Sequence, residues 1–170
     1  MADVASRGFA PIAGGDARVL ILGSLPGERS IAEQQYYAHP RNGFWPIMAR
    51  LFDVEWAEDY PGRIEQLRQL PVILWDVLRS CRREGSLDAD ICSSEFEPNA
   101  IGKLLDGYDS LRLIVFNGAT SEKFFRQQVA PSIPNLQRFE LLRLPSTSPA
   151  HASLNLAQKY AQWRVIVRYC

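Results

Sequence analysis

The sequence predicts a single α/β domain with a mostly parallel, four-stranded central sheet covered by helices on both faces. Three observations predict it. Four short apolar runs recur along the chain, rich enough in β-branched residues to be strands. Each is followed by a turn and then by a stretch with helical spacing, the alternation that builds parallel sheets through right-handed crossovers. Finally, 170 residues that are 46% hydrophobic suffice for one domain with its own core.

The elements follow in order. The first fifteen residues, MADVASRGFAPIAGG, lack the apolar centre of a signal peptide and are expected to form a flexible start to a domain spanning 1–170. The run RVLILG at 18–23 is continuously apolar, as a strand buried on both faces requires. Residues 44–52 carry apolar side chains at helical spacing after a start at Asn42-Gly43, and 64–70 is a short amphipathic piece. The second strand is PVILWD at 71–76. A helix at 99–105 places Ile101, Leu104 and Leu105 on one side. The third strand, LIVFNG at 113–118, leads into a helix at 120–129. The fourth, FELLRL at 139–144, is stopped by Pro145, and an amphipathic helix at 153–169 closes the chain.

Composition excludes several classes. Nineteen basic residues balance nineteen acidic ones, which argues against a charge-dominated grip on nucleic acid but not against a local basic face. Cys81, Cys92 and Cys170 include no Cys-x-x-Cys pair, which argues against a zinc site, an iron–sulfur cluster or a disulfide framework and for reduced thiols in the cytoplasm. No apolar stretch is long enough to cross a bilayer, and the chain holds no repeat or interdomain linker.

In open parallel sheets ligands bind outside the carboxyl ends of the strands. The four predicted exits carry compact polar groups or bare backbone: GSLPG at 23–27, Asp76, Asn117-Gly118 and PSTSP at 145–149. In the first, two glycines allow close backbone approach, and N–H groups there suit an anion or a carbonyl oxygen. It is neither a Walker loop nor a dinucleotide fingerprint, and taken alone it reads first as an ordinary turn. The run QYYAHPRNGFW at 35–45 combines stacking rings (Tyr36, Tyr37, Phe44, Trp45) with polar groups (His39, Arg41, Asn42). Rings stack bases, Arg41 suits a phosphate, and the Asn42 carboxamide can orient a water or read a base edge. The same aromatics also suit ordinary packing. The hydroxyls of Ser146, Thr147 and Ser148 before the last helix suit a phosphate or a helix cap. Asp76 and Asn117 read alternatively as turn or cap residues, and Arg79, Arg82 and Arg83 as either a solvated face or a phosphate-facing strip.

Taken together, GSLPG, QYYAHPRNGFW, LWDVL at 74–78, FNG at 116–118 and LPSTSP at 144–149 resemble the uracil-DNA glycosylase superfamily. The nearest branch is the hypoxanthine-DNA glycosylases, related to the mismatch-specific uracil/thymine enzymes. The resemblance runs from about residue 18 to the last helix. It implies a three-layer α/β/α sandwich and a monofunctional DNA glycosylase of base excision repair that flips out and hydrolytically removes hypoxanthine or uracil. No metal or organic cofactor is implied, and the partner is DNA with deaminated bases, met by a cytoplasmic, monomeric protein without membrane attachment.

The resemblance also distributes roles. Most relatives keep an acidic or amide side chain inside the first loop to position water; this chain has Ser24 and Leu25 there. In the hypoxanthine branch the asparagine of the second run takes that task, here Asn42. Gly23, Ser24, Leu25, Pro26 and Gly27 would surround the base, with Phe44 stacking on it and Asp76 and Asn117 reading its edge. Arg41, Ser146, Thr147, Ser148 and His151 would hold phosphates. Relatives place His or Asn where Leu144 stands, so no polar group at that position assists the departing base, a task left to His151. No lysine is placed for a Schiff base. Two rivals stand beside this reading: a nucleoside or nucleotide hydrolase acting on small molecules, whose duplex binding would be insensitive to salt, and a nucleic-acid-binding module without catalysis, which would bind but release no base.

Overall fold

The computed structural model describes residues 6–83 and 91–170. Two short strands come first, Ser6–Arg7 (β1) and Ile12–Ala13 (β2), both within the segment expected to be a flexible start. Val19–Gly23 (β3) leads into a helix at Glu28–Glu33 (α1), then Phe44–Phe52 (α2) and Tyr60–Arg68 (α3). Val72–Asp76 (β4) is followed by Leu78–Arg83 (β5) and Ile91–Pro98 (β6). Ile101–Asp106 (α4), Leu113–Asn117 (β7) and Ala119–Phe124 (α5) come next. A π-helical turn at Phe125–Val129 extends α5. Glu140–Leu144 (β8) and Leu156–Trp163 (α6) end the fold, with a 3₁₀ turn at Arg164–Tyr169.

The main sheet has five strands in the order β2-β4-β3-β7-β8. The four expected strands are its parallel part, and the two residues of β2 add an antiparallel edge along β4. Every residue of β3, β4 and β7 is buried, as the continuous apolar runs require. Their side chains alternate between two cores. Val19, Ile21, Val72, Leu74, Leu113 and Val115 meet α2, α3 and α6 on one face. Leu20, Leu22, Ile73, Trp75, Ile114 and Phe116 meet α4 and α5 on the other. The three-layer expectation therefore holds. A second, antiparallel sheet, β1-β5-β6, was not expected, and it packs Leu78 and Cys81 into the second core. Register shifts in the β5–β6 pairing break the period-two alternation that would have announced it. The side chains of Arg82, Arg83 and Cys92 lie outside the described residues, while Arg79 pairs with Glu97 at 3.5 Å.

Local chemistry fixes the helix ends. The Asp59 side chain caps α3 by accepting from Gly62 N at 2.6 Å. Asn155 and Gln158 form a reciprocal capping box at α6, which therefore starts three residues later than the apolar pattern suggests. Among the described residues no helix is long and apolar enough to cross a membrane.

Candidate active site

All four parallel strands end along one edge of the sheet, and the polar exits meet there. β4 lies on one side of β3 and β7 on the other, so Gly23 and Asn117 flank the point where the winding of the sheet reverses. Such a switch point is where a parallel sheet opens a crevice. The loop after β3 is drawn inward. Ser24 is buried and the Leu25 side chain lies in the core against Leu22 and Leu78, so this loop faces the edge with its backbone. Its carbonyls are fixed by the neighbouring strand exit, Gly23 O accepting from Val77 N and Ser24 O from Leu78 N. A Cβ on Gly23 would stand 2.4 Å from Asp76 Oδ1 and 3.1 Å from the Tyr37 hydroxyl. The buried Asp76 carboxylate thus lies directly against bare backbone.

The run 35–45 crosses this edge as a tightly held strap. Tyr36 is buried, its hydroxyl donating to Ala10 O and its N–H to the Tyr60 hydroxyl, while the Trp45 indole donates back to Tyr36 O. Burial, then the nearby Asp76, Tyr37 and Tyr60 charges, push the Tyr36 phenol far above its ordinary range. Tyr37 sits at φ 54°, a left-handed conformation rare for a bulky side chain and a reason to look for function there. Its ring stacks on Phe44, centroids 4.3 Å apart and planes 26° apart.

That stacking changes the expected role of Phe44. Phe44 has no exposed surface, because Tyr37 covers one face and the helix buries the rest. The ring reachable from outside is that of Tyr37, which with His39, Pro40, Asn42 and Arg63 lines a cavity of about 370 Å³. The reason was present in the sequence: Phe44, Ile47 and Met48 follow i, i+3, i+4 spacing, which assigns Phe44 to the core face of α2.

Asn42 lines the same cavity, half-exposed. Its N–H donates to His39 O at 2.8 Å, and its Oδ1 accepts from Phe44 N at 3.0 Å. This two-residue turn locks the carboxamide, leaving a second lone pair on Oδ1 for a water or ligand donor. His39 Nδ1 accepts from Arg41 N, so in its neutral form the ring carries its proton on Nε2. Arg41 itself is exposed.

The last loop divides its hydroxyls between inside and outside. Thr147, expected at a phosphate, is buried instead, its Oγ1 accepting from Asn117 Nδ2 at 3.0 Å. Ser146 and Ser148 are half-exposed, and each Oγ accepts a backbone N–H two residues on, which keeps both O–H groups available to donate. His151 stands beside Ser153 at 3.3 Å, at the outer end of the loop. Asn117, expected to read a base, is instead engaged with Tyr37 and Thr147 at 2.9–3.0 Å. Leu144 is buried. One lysine that sequence reasoning missed does reach the loop: Lys159, buried on α6, donates to Ser148 O at 3.0 Å. Burial pulls its ammonium below the ordinary lysine range. Its only sequence signal was a charge on the apolar side of an amphipathic helix. Among the described residues no group of three or more His, Cys, Asp or Glu is arranged to hold a metal.

The model of the uracil DNA glycosylase superfamily matches residues 11–168. A protein named hypoxanthine DNA glycosylase from Methanosarcina barkeri is 37% identical over 119 residues, covering 69% of this chain and 74% of the relative. Another of that name, from Methanosarcina acetivorans, is 32% identical over 165 residues, covering 96% of this chain and 98% of the relative. The solution NMR structure of a candidate uracil DNA glycosylase from Methanosarcina acetivorans superposes with a TM-score of 0.78 at 31% identity, covering 97% of this chain and 98% of that one.

Proposed function

The chain belongs to the uracil DNA glycosylase superfamily and is a DNA N-glycosylase, and from that premise we propose that it flips hypoxanthine out of DNA and hydrolyses its glycosidic bond, with uracil as a second substrate. The observation that carries the mechanism is the locked Asn42 carboxamide in an open cavity beside an aromatic ring. The two relatives named hypoxanthine DNA glycosylase support the choice of base.

A base within a duplex is out of reach, so the nucleotide swings into the pocket at the cost of a few kcal/mol of stacking. The Tyr37 face receives the flipped ring, and Asp76 with the backbone of Gly23–Gly27 meets its polar edge at the strand ends. Arg41, Ser146, Ser148 and His151 hold the phosphates on either side. As the glycosidic bond lengthens, the sugar gains cationic character and the base becomes an anion. Backbone N–H groups of the 23–27 loop stabilise that anion, as an oxyanion hole does. Asn42 Oδ1 accepts a hydrogen bond from a water and aims its oxygen at the anomeric carbon. An amide is too weak a base to remove the proton, so its contribution is placement. The proton released by the attacking water ends on the departing base anion, so the reaction ends at neutral free base and an abasic site with the strand intact.

Oligonucleotides containing hypoxanthine or uracil test this directly. The wild type is expected to leave an alkali-labile abasic site at the position hypoxanthine occupied. Asn42→Ala should lower the single-turnover rate at least ~100-fold, while Asn42→Asp, which keeps an acceptor in place, should lose less. Wild-type rates in Asn42→Ala would remove the assignment.

A further inference from the structure

We infer that Asn117 is a positioning residue, a clasp that holds the catalytic strap at both ends. This rests on the proposed reaction. A neutral carboxamide has two N–H donors and two acceptor lone pairs. One Asn117 N–H is given to the Tyr37 hydroxyl at 3.0 Å and the other to Thr147 Oγ1 at 3.0 Å, while Oδ1 accepts from Thr147 N at 2.9 Å. A base carbonyl could take an Asn117 N–H only by breaking a bond the protein already makes in a site where Asn117 and Thr147 are both buried.

What these bonds join gives the residue its task. Tyr37 begins the segment that Asn42-Gly43 ends. Thr147, paired edge to edge with Asn117, accepts through its carbonyl from Gly43 N at 2.9 Å. One carboxamide on the rigid end of β7 therefore fixes the Tyr37 side chain directly and the backbone next to Asn42 through Thr147. The stacking of Tyr37 on Phe44 closes the circuit, since Phe44 N is the group that orients Asn42 Oδ1. The aromatic face and the water-holding oxygen are thereby held in one geometry. A displacement of about 1 Å at such a site can cost on the order of 100-fold in rate.

Single-turnover excision of hypoxanthine and DNA affinity, measured together, test the clasp. Asn117→Ala should lower the rate ~10- to 100-fold with affinity for the oligonucleotide within about twofold of wild type. Thr147→Ser, which retains the hydroxyl, should stay near wild type, and Thr147→Val should not. Combining Asn117→Ala with Tyr37→Phe and Thr147→Val should cost at least fivefold less than the product of the separate losses, because all three changes break one network. Multiplicative losses would overturn the inference and make the carboxamide a direct base contact. The bonds are also visible without activity, in the Asn117 side-chain amide resonances of ¹⁵N-labelled protein. Tyr37→Phe should move one of the two N–H signals and Thr147→Val the other. A wild type that releases no hypoxanthine while both signals move refutes the proposed substrate but not the link. Signals that stay still in both variants refute the link whatever the activity.

Discussion

Gly23 shows how closely the site is built around absent atoms. Its Cα faces the Asp76 carboxylate and the Tyr37 hydroxyl, and a single added methyl would meet Oδ1 at 2.4 Å. Nothing in that corner can give way cheaply, because Asp76 is buried and Tyr37 is pinned by Asn117 and Phe44. Gly23→Ala should therefore destabilise the protein by about 1–3 kcal/mol, the usual cost of overpacking a filled interior. It should also lower excision by more than that loss of folded protein explains, because the displaced groups lie where a base edge would rest. Urea unfolding alongside single-turnover assays separates the two effects. The need for close backbone approach at Gly23 was legible in the sequence, but the groups it approaches, the Asp76 carboxylate and the Tyr37 hydroxyl, were not. That Asn42 lines the cavity was legible too, as an amide in a loop dense with rings. The inward turn of Thr147 and the engagement of Asn117 were not. A run of three hydroxyls does not say which one faces in, and a polar residue at a strand end looks the same whether it reads a ligand or bolts loops together.

Elements are legible in the sequence wherever burial leaves a periodic mark. The four parallel strands fall within a residue of where their apolar runs place them, and α2 spans the expected 44–52. Elements that escaped were those whose pairing is irregular or brief. β1 and β2 have two residues each, too few for any period, and β5 loses its alternation to register shifts. α1 is short and starts at a glycine without a side-chain cap. The last helix was extended too far because apolar residues continue through the 3₁₀ turn, and its true start is set by the capping box at Asn155. α6 carries Lys159 beneath Ser148 and packs Trp163 under Pro145, whose carbonyl accepts the indole N–H. The cap therefore anchors the helix that supports the loop at 145–149. Asn155→Ala should cost about 1 kcal/mol in thermal or urea unfolding. It should change the chemical step little, since Thr147 remains held from β7. A loss of excision far beyond the stability change would show that the cap acts on the site itself.

The molecule as a whole has no excess charge, with nineteen basic and nineteen acidic residues, so its pH response comes from individual buried groups rather than from general repulsion. Two of those groups, Tyr36 and Tyr60, are joined at the strap, where the Tyr36 N–H donates to the Tyr60 hydroxyl. Burial raises the Tyr36 phenol, with the Asp76, Tyr37 and Tyr60 charges adding to it. Burial also raises Tyr60, against the lowering effect of the Tyr36 N–H it accepts and with a further rise from Asp76. The Cys170 thiol is pushed up to about 11 by burial, against a lowering by Arg18. Each is a neutral acid held more tightly in the folded chain than in the unfolded one. Their contributions are complete below the unfolded values, near 9 for the thiol and 10 for the phenols. They fade as pH climbs toward the folded values, because the unfolded chain ionises first. Lys159 runs the other way. Its buried ammonium is a cost while protonated, and that cost lifts as pH rises through its lowered pKa. Tyr169, raised by its hydrogen bond to Glu140, acts in the same sense as the two phenols and the thiol, so four groups stand against one among the described residues, and the melting temperature should hold steady to about pH 9 and then fall through pH 11. Tyr36→Phe should flatten that fall, since phenylalanine fills the same space with nothing to ionise, although it starts lower by the bond to Ala10 O. Thermal melts at intervals from pH 8 to 11 decide it, and a wild-type curve that stays level across that range would mean these phenols are not shielded from water. The same burial that holds Tyr36 within the strap is what would make the fold alkali-sensitive, so one titration reads the tightness of the scaffold behind the candidate site.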